Sequence, residues 1–200
     1  GPVLALRFAG VFGLLLVVWM VISGLAGAHA MTTAQMVSVS AVLAAGAIFL
    51  SVSLSWQIVP GKARWLSPPL LIGVFLAGFL TVVGVMLPWE SSGEIFAAGW
   101  LCTYHGLIAA IPAAAISTLL ALRGAPLSFR ALGTSIGAAS GLLALTVLQF
   151  GCKNQHAGHV LVWHGAAMLG CLGAGYALGA AADCLRARRI LMNSRRNLDL

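Results

Sequence analysis

Long stretches without one charged side chain constrain this chain more than any other feature. Residues 8–61 contain no Asp, Glu, Lys or Arg, and the same holds for 65–89, 95–122, 131–152 and 154–182. A helix rises about 1.5 Å per residue, so roughly 20 apolar residues cross a hydrocarbon layer of about 30 Å. Each of the last four intervals holds one such span. The first is long enough for two, and its most polar stretch, Ala28-His29-Ala30-Met31-Thr32-Thr33, is the expected break. Six helices are therefore expected at 7–27, 34–58, 68–88, 96–121, 129–150 and 159–182. In lipid every backbone polar group must be satisfied within the protein, so spans are helices or closed barrels. These runs lack the period-two alternation of barrel strands. The expected class is all-α: a polytopic membrane protein with a six-helix domain over 1–182 and a basic tail over 183–200.

Composition excludes the alternatives. Of 200 residues, 60% are hydrophobic and 8% charged, against roughly 45–50% and 25% in soluble domains. So few charges cannot coat a water-soluble body of this size, and a disordered or fibrous chain needs a composition absent here.

Orientation follows from where the cations fall. With six spans, both termini lie on the same side as the second and fourth connections. That side carries Arg7, Lys62, Arg64, Arg123, Arg130, Arg186, Arg188, Arg189, Arg195 and Arg196, and the opposite side only Lys153. Both termini are thus expected in the cytoplasm, with the arginines against anionic head groups rather than nucleic acid. Trp56, Trp65, Trp89, Trp100 and Trp163 fall near expected span ends, where indoles sit at head-group level, and Trp19 falls mid-span. The first span lacks the charged leader and small-residue cleavage site of a signal peptide and is expected to be retained.

Small residues mark the expected helix contacts. Gly133, Gly137 and Gly141 recur every fourth residue in the fifth span. Gly175 and Gly179 do so in the sixth, beside Ala166, Gly170 and Ala174. Such spacing lets two helices approach closely where lipid removes the hydrophobic drive to associate. Pro112, midway along the fourth span, removes a backbone donor and is the expected bend or hinge.

Chemistry-bearing residues are few. No expected span contains a carboxylate, which argues against a proton-coupled pump. No glycine loop suits a nucleotide and no spacing pairs a nucleophile with a base, so the chain does not read as an enzyme. Cys102, about two turns into the fourth expected span, and Cys152, in the connection before the sixth, fall on the outer side. His105 lies three residues beyond Cys102, on the same helix face. His156, His159 and His164 follow Cys152. Three readings stand on spacing alone. One is a Cys102–Cys152 disulfide. Another is a metal or haem site drawn from Cys102, His105, Cys152, His156, His159 and His164. The third is a set of buried thiols and interfacial imidazoles with a packing role only.

The residues from Cys102 onward carry a family resemblance. They are Ile111-Pro112-Ala113-Ala114, Leu122-Arg123-Gly124-Ala125-Pro126, the glycine-spaced helix, Gly151-Cys152-Lys153-Asn154, His159 and Val162-Trp163-His164, with Ile58-Val59-Pro60-Gly61 earlier. Over roughly residues 40–180 the chain resembles the NrsF-type family of bacterial membrane anti-sigma factors. The resemblance implies a six-span negative regulator in the bacterial inner membrane. It would hold an extracytoplasmic-function (ECF) type sigma factor at the cytoplasmic face until a stress signal arrives. It also implies dependence on two cysteines, at positions matched by Cys102 and Cys152, and no resident cofactor. Family members carry a cytoplasmic N-terminal segment that contacts the sigma factor, whereas about six residues precede the first expected span here. The basic stretch with Arg123, Arg186, Arg188 and Arg189 is the other inner surface available to that partner. The competing class is an accessory subunit of a membrane redox or pigment complex, with His105 and His164 on opposing helices holding haem or chlorophyll.

Overall fold

In the computed structural model, residues 2–58, 67–89, 99–124 and 126–198 are described; side chains are described for 3–192 within these. Among them every regular element is helical: α1 (Pro2–Ser23), α2 (Ala26–Ala30), α3 (Thr33–Ile58), α4 (Pro68–Met86), α5 (Trp100–Ala121), α6 (Phe129–Gly151), α7 (Ala157–His159) and α8 (Gly165–Leu198), with a π-helical turn, Val160–His164, joining the last two. Six are long and apolar enough to cross a membrane: α1, α3, α4, α5, α6, and the continuous run of α7, the π turn and α8.

The crossings alternate in direction. At one end, Gln35 Nε2 donates to the Met86 carbonyl at 2.8 Å, Ala157 N–H to the Pro88 carbonyl at 2.8 Å, and Gly151 faces Ser23. Here α1 ends, α3 begins, α4 ends and α6 ends. At the other end Gly124 lies against Ile58, and the Asp183 carboxylate accepts from the backbone N–H groups of Phe129 and Arg130 at 3.0 and 2.9 Å. The first we call the thiol end, after Cys102 and Cys152, and the second the arginine end, after Arg123, Arg130 and Arg186. Lys62, Arg64, Trp65, Glu90 and Glu94 lie outside the described residues.

The centre of the bundle is α6. Its residues are Gly, Ala, Ser and Leu all round, as a helix enclosed by protein requires, and from Ile136 to Gln149 every residue is buried. The Ser128 hydroxyl accepts from Ala131 N–H at 3.2 Å. Together with Asp183 it satisfies three of the donors that a helix start leaves free. Against α6 runs α8, so close that backbone meets backbone. A Cβ built on Gly137 would stand 3.1 Å from Leu172 Cα, and one on Gly175 would stand 2.9 Å from Gly137 Cα. Gly141 meets Met168 and Cys171, and Gly133 and Gly179 continue the seam to the arginine end. Only hydrogen fits along that line.

Several expected boundaries move, the first span among them, which begins at Pro2 rather than 7. The first span ends at Ser23, not 27, because Gly24 adopts φ +75°, a left-handed geometry open to glycine; the polar stretch then partly winds into α2. The expected start of the fourth at 96 lies outside the described residues; α5 as described starts at Trp100, with Cys102 in its first turn. The sixth continues as one helix to Leu198, carrying Arg186, Arg188 and Arg189 on the same rod. Pro112 lies inside α5, which remains a single element around it.

Candidate functional site

Two hydrophobic helix ends and one irregular turn bring four soft donor atoms together at the thiol end. Cys102 is in the first turn of α5. Cys152 closes α6, its N–H bonded to the Leu148 carbonyl at 2.8 Å. His159 and His164 flank the π turn. Their sulfur and ring nitrogen atoms all lie within 4.8 Å of one another. The Cys102 and Cys152 sulfurs are 3.7 Å apart, and Cys152 Sγ is 3.5 Å from His159 Nε2. The two imidazoles meet edge to face, with centroids 5.4 Å apart.

The π turn makes this possible. In a regular α-helix, residues five apart point about 140° away from each other. A π turn inserts one extra residue, so His164 occupies the position that a fourth residue would take and comes round to the side of His159. Spacing alone hides this pair. A second bond locks the turn against α5: the Thr103 hydroxyl donates to the Trp163 carbonyl at 2.8 Å. Gly99, just before α5, leaves room for the Trp163 indole, which a Cβ there would strike.

Sequence spacing missed the glutamines that hold the connection around Cys152. Gln155 Nε2 donates to the carbonyls of Cys152 at 2.7 Å and Gln149 at 2.9 Å, and Gln149 Nε2 donates to Gln155 Oε1. Both side chains are buried. A Cβ on Gly27 would stand 2.7 Å from Gln155 Nε2, so α2 closes over this connection. A similar group lies at the arginine end, where Gln57 Nε2 donates to the hydroxyls of Ser135 at 2.6 Å and Ser53 at 3.2 Å. The signal for both was a Gln inside a charge-free run.

Not every candidate joins the cluster. His105 shares a helix face with Cys102, yet its Nδ1 lies 2.8 Å from the Leu101 carbonyl on the exposed side. His156 starts α7, its N–H bonded to Asn154 Oδ1 at 3.0 Å. Both stand outside the four-residue group.

The four donors suit a tetrahedral soft cation. With metal–sulfur bonds of about 2.3 Å and metal–nitrogen bonds of about 2.0–2.1 Å, a tetrahedron has sulfur–sulfur edges of about 3.7 Å and sulfur–nitrogen edges of about 3.5 Å. The Cys102–Cys152 and Cys152–His159 separations match these, and the remaining donor pairs lie within 4.8 Å. His164 is fully buried, yet neither ring nitrogen has a hydrogen-bond partner among the described residues, nor does His159 Nδ1. Buried polar atoms are normally paired, so these nitrogens fit a ligand-binding role. A cavity of about 360 Å³ between α1, α5 and α6 reaches Cys102 and Cys152 past Trp19, Ser23 and His105, which supplies an entry path.

The Cys152 thiol, in the connection beyond α6, is held below the usual thiol range. The hydrogen bond from Cys102 is the largest cause, the rings of His159 and His164 add to it, and burial opposes it. Thiolate is the form that binds metals and reacts with electrophiles. A free thiol loses its proton near about pH 8.5. Site-resolved alkylation by iodoacetamide should therefore place the Cys152 inflection below that value. In Cys102→Ala it should move back up. An unchanged inflection would contradict the hydrogen-bond assignment.

No curated protein and no solved structure gives a significant match. The profile of one family, described as negative regulator of sigma F, matches residues 1–184. That match covers all six long helices through the arginine-end cap at Asp183, so the chain belongs to the NrsF family of negative regulators of sigma F.

Proposed function

We propose that this protein is an integral-membrane anti-sigma factor that sequesters an ECF-type sigma factor. We further propose that Cys102, Cys152, His159 and His164 form its sensor for a thiophilic metal ion. The observation that carries the sensor reading is the four-donor cluster with three orphaned imidazole nitrogens. Membership of a sigma-regulator family supplies the partner. The ion acts as the signal of a stress response, not as a resident cofactor.

The arginine asymmetry supports a bacterial inner-membrane location with both ends cytoplasmic. The sensor then faces outward and the arginine end meets the partner. On α8, Arg186, Arg188 and Arg189 alternate with Leu185, Ile190, Leu191 and Met192, all exposed. This mixed basic and apolar surface is one that a cytosolic protein can cover.

A ligand shifts an equilibrium only by binding one arrangement better than another. The π turn supplies a two-state element. Metal held by His159 and His164 favours the π turn, and relaxation to regular α geometry turns His164 out of the cluster. That change moves α8 along the glycine seam of α6, which reaches the arginine end.

The test is sigma-factor capture in nanodiscs, with and without Zn²⁺ or Cd²⁺. Wild type should release its partner on metal addition, and Cys102→Ser/Cys152→Ser should hold it regardless. Metal-independent capture by wild type would sink the sensor. Failure to capture any sigma factor would sink the wider reading. The 3.7 Å sulfur contact also favours a redox variant, in which an oxidant takes two electrons and two protons from the thiols as they join. That variant predicts release with diamide and a cross-linked Cys102–Cys152 peptide.

A further inference from the structure

We propose that the groove between α5 and α8 holds an acyl chain of an anionic phospholipid, with its phosphate at Arg123 and Arg186. The inference requires that the bundle spans a bilayer and is independent of the sensor.

The groove encloses about 530 Å³. Its walls are apolar side chains such as Ile111 and Leu122 of α5 and Leu178 of α8, and its floor is the small-residue face of α6 around Gly133 and Gly137. The small residues that bring α6 and α8 together also leave α5 and α8 apart here. Along α8 the groove runs from Gly170 to Ala182, about 18 Å at helical rise. One leaflet of hydrocarbon is about 15 Å deep, so a single lipid tail fits its length.

Charge at the groove's end selects the head group. Leu122, Phe129 and Ala182 close it, and Arg123 and Arg130 are the next residues after the first two, while Arg186 lies one turn beyond the third. All three arginines are exposed. The Arg186 guanidinium lies 5.8 Å from the Phe129 ring centroid and that of Arg130 lies 5.7 Å from the Tyr176 ring centroid. The first stack holds the Arg186 guanidinium against Phe129, which lines the groove, whereas the second holds Arg130 on Tyr176, outside the lining. Among the described residues the carboxylate at this end is Asp183, which accepts from the Phe129 and Arg130 backbone N–H groups and also feels the charges of Arg130 and Arg186, so three guanidiniums stand against one carboxylate. Guanidinium groups bind phosphate through paired N–H donors, and basic clefts between spans recognise anionic head groups. A second copy of the chain would bring three more arginines to the same place, so its charge does not complement the groove.

Native mass spectrometry of protein released from nanodiscs of equal phosphatidylglycerol and phosphatidylcholine tests the site. Wild type should retain phosphatidylglycerol preferentially. Arg123→Gln/Arg186→Gln should reduce that preference about tenfold, and Arg188→Gln/Arg189→Gln should leave it unchanged. Ala114→Trp, which fills the groove, should lower retention of both lipids in protein whose melting temperature shows it folded. Equal retention of the two lipids by wild type would overturn the proposal. So would equal losses in the two arginine pairs, or a dimer whose dissociation, not lipid loss, follows Ala114→Trp.

Discussion

His164→Ala is expected to weaken Zn²⁺ binding by about two to three decades, while His105→Ala leaves it unchanged. Structural zinc sites release about 10–16 kcal/mol. Shared among four ligands, one ligand represents roughly 3–4 kcal/mol, and every 1.4 kcal/mol is tenfold. The His164 ring is fully buried and neither nitrogen makes a geometric hydrogen bond, so its removal subtracts a ligand and otherwise alters its interaction with Cys152. His105 lies three residues from Cys102 and looks equally suitable by spacing, but its ring turns to the Leu101 carbonyl. The pair of variants therefore separates a site built by the π turn from one built along α5. Competition against a chromogenic chelator, in metal-stripped protein, reads both affinities. Equal losses from the two variants would place the ion elsewhere. A haem or chlorophyll held by His105 and His164 would instead give a visible absorption band that either substitution removes. Affinity should also fall with acid, because imidazole nitrogen and thiolate must shed protons before they bind.

The contrast between those histidines shows what sequence could and could not reveal. Lipid imposes one harsh rule, charge-free runs of sufficient length, and that rule made all six long helices legible from residue type alone. Ends obey local geometry instead. The first span stops at Gly24 because that residue takes a left-handed backbone, and the polar run after it winds into α2. Cys102 and Cys152 could be placed on one side of the bundle by counting crossings. Their 3.7 Å approach depends on α5 beginning at Trp100, so that Cys102 sits in its first turn. His159 and His164 could not be told apart from His105 and His156, because helical periodicity assigns residues five apart to different faces. The π turn breaks that periodicity, and no residue between 160 and 164 announces it. The glutamines around Cys152 were visible only as Gln within charge-free runs, which says nothing of the carbonyls they bond.

Gly137→Leu should cost the protein its fold, and Gly137→Ala alone should lower its melting temperature by roughly 5–10 °C. A Cβ at Gly137 would stand 3.1 Å from the Cys171 carbonyl carbon and 3.1 Å from Leu172 Cα. These are backbone atoms of a helix that meets α6 backbone to backbone from Met168 to Gly179, so neither can yield without separating α6 from α8. Overpacking of this kind costs about 1–3 kcal/mol for a small group and more for a large one. In a chain of this size each kcal/mol moves the midpoint by about 2–4 °C. Gly173, on α8 and two residues from Gly175, is the matched control: nothing lies within 4 Å of a Cβ built there. Gly173→Ala should be neutral or slightly stabilising, because alanine favours the helix by about 0.5–1 kcal/mol. Thermal unfolding in one detergent, followed by tryptophan emission, compares the three variants directly. Similar midpoints for Gly137→Ala and Gly173→Ala would mean that the α6–α8 approach is looser than the backbone distances require. A rigid seam is also what coupling between the two ends demands. In the proposed mechanism, displacement of the π turn reaches Arg186 only if α8 moves as one body along α6, whose glycines leave no side chain between the two backbones.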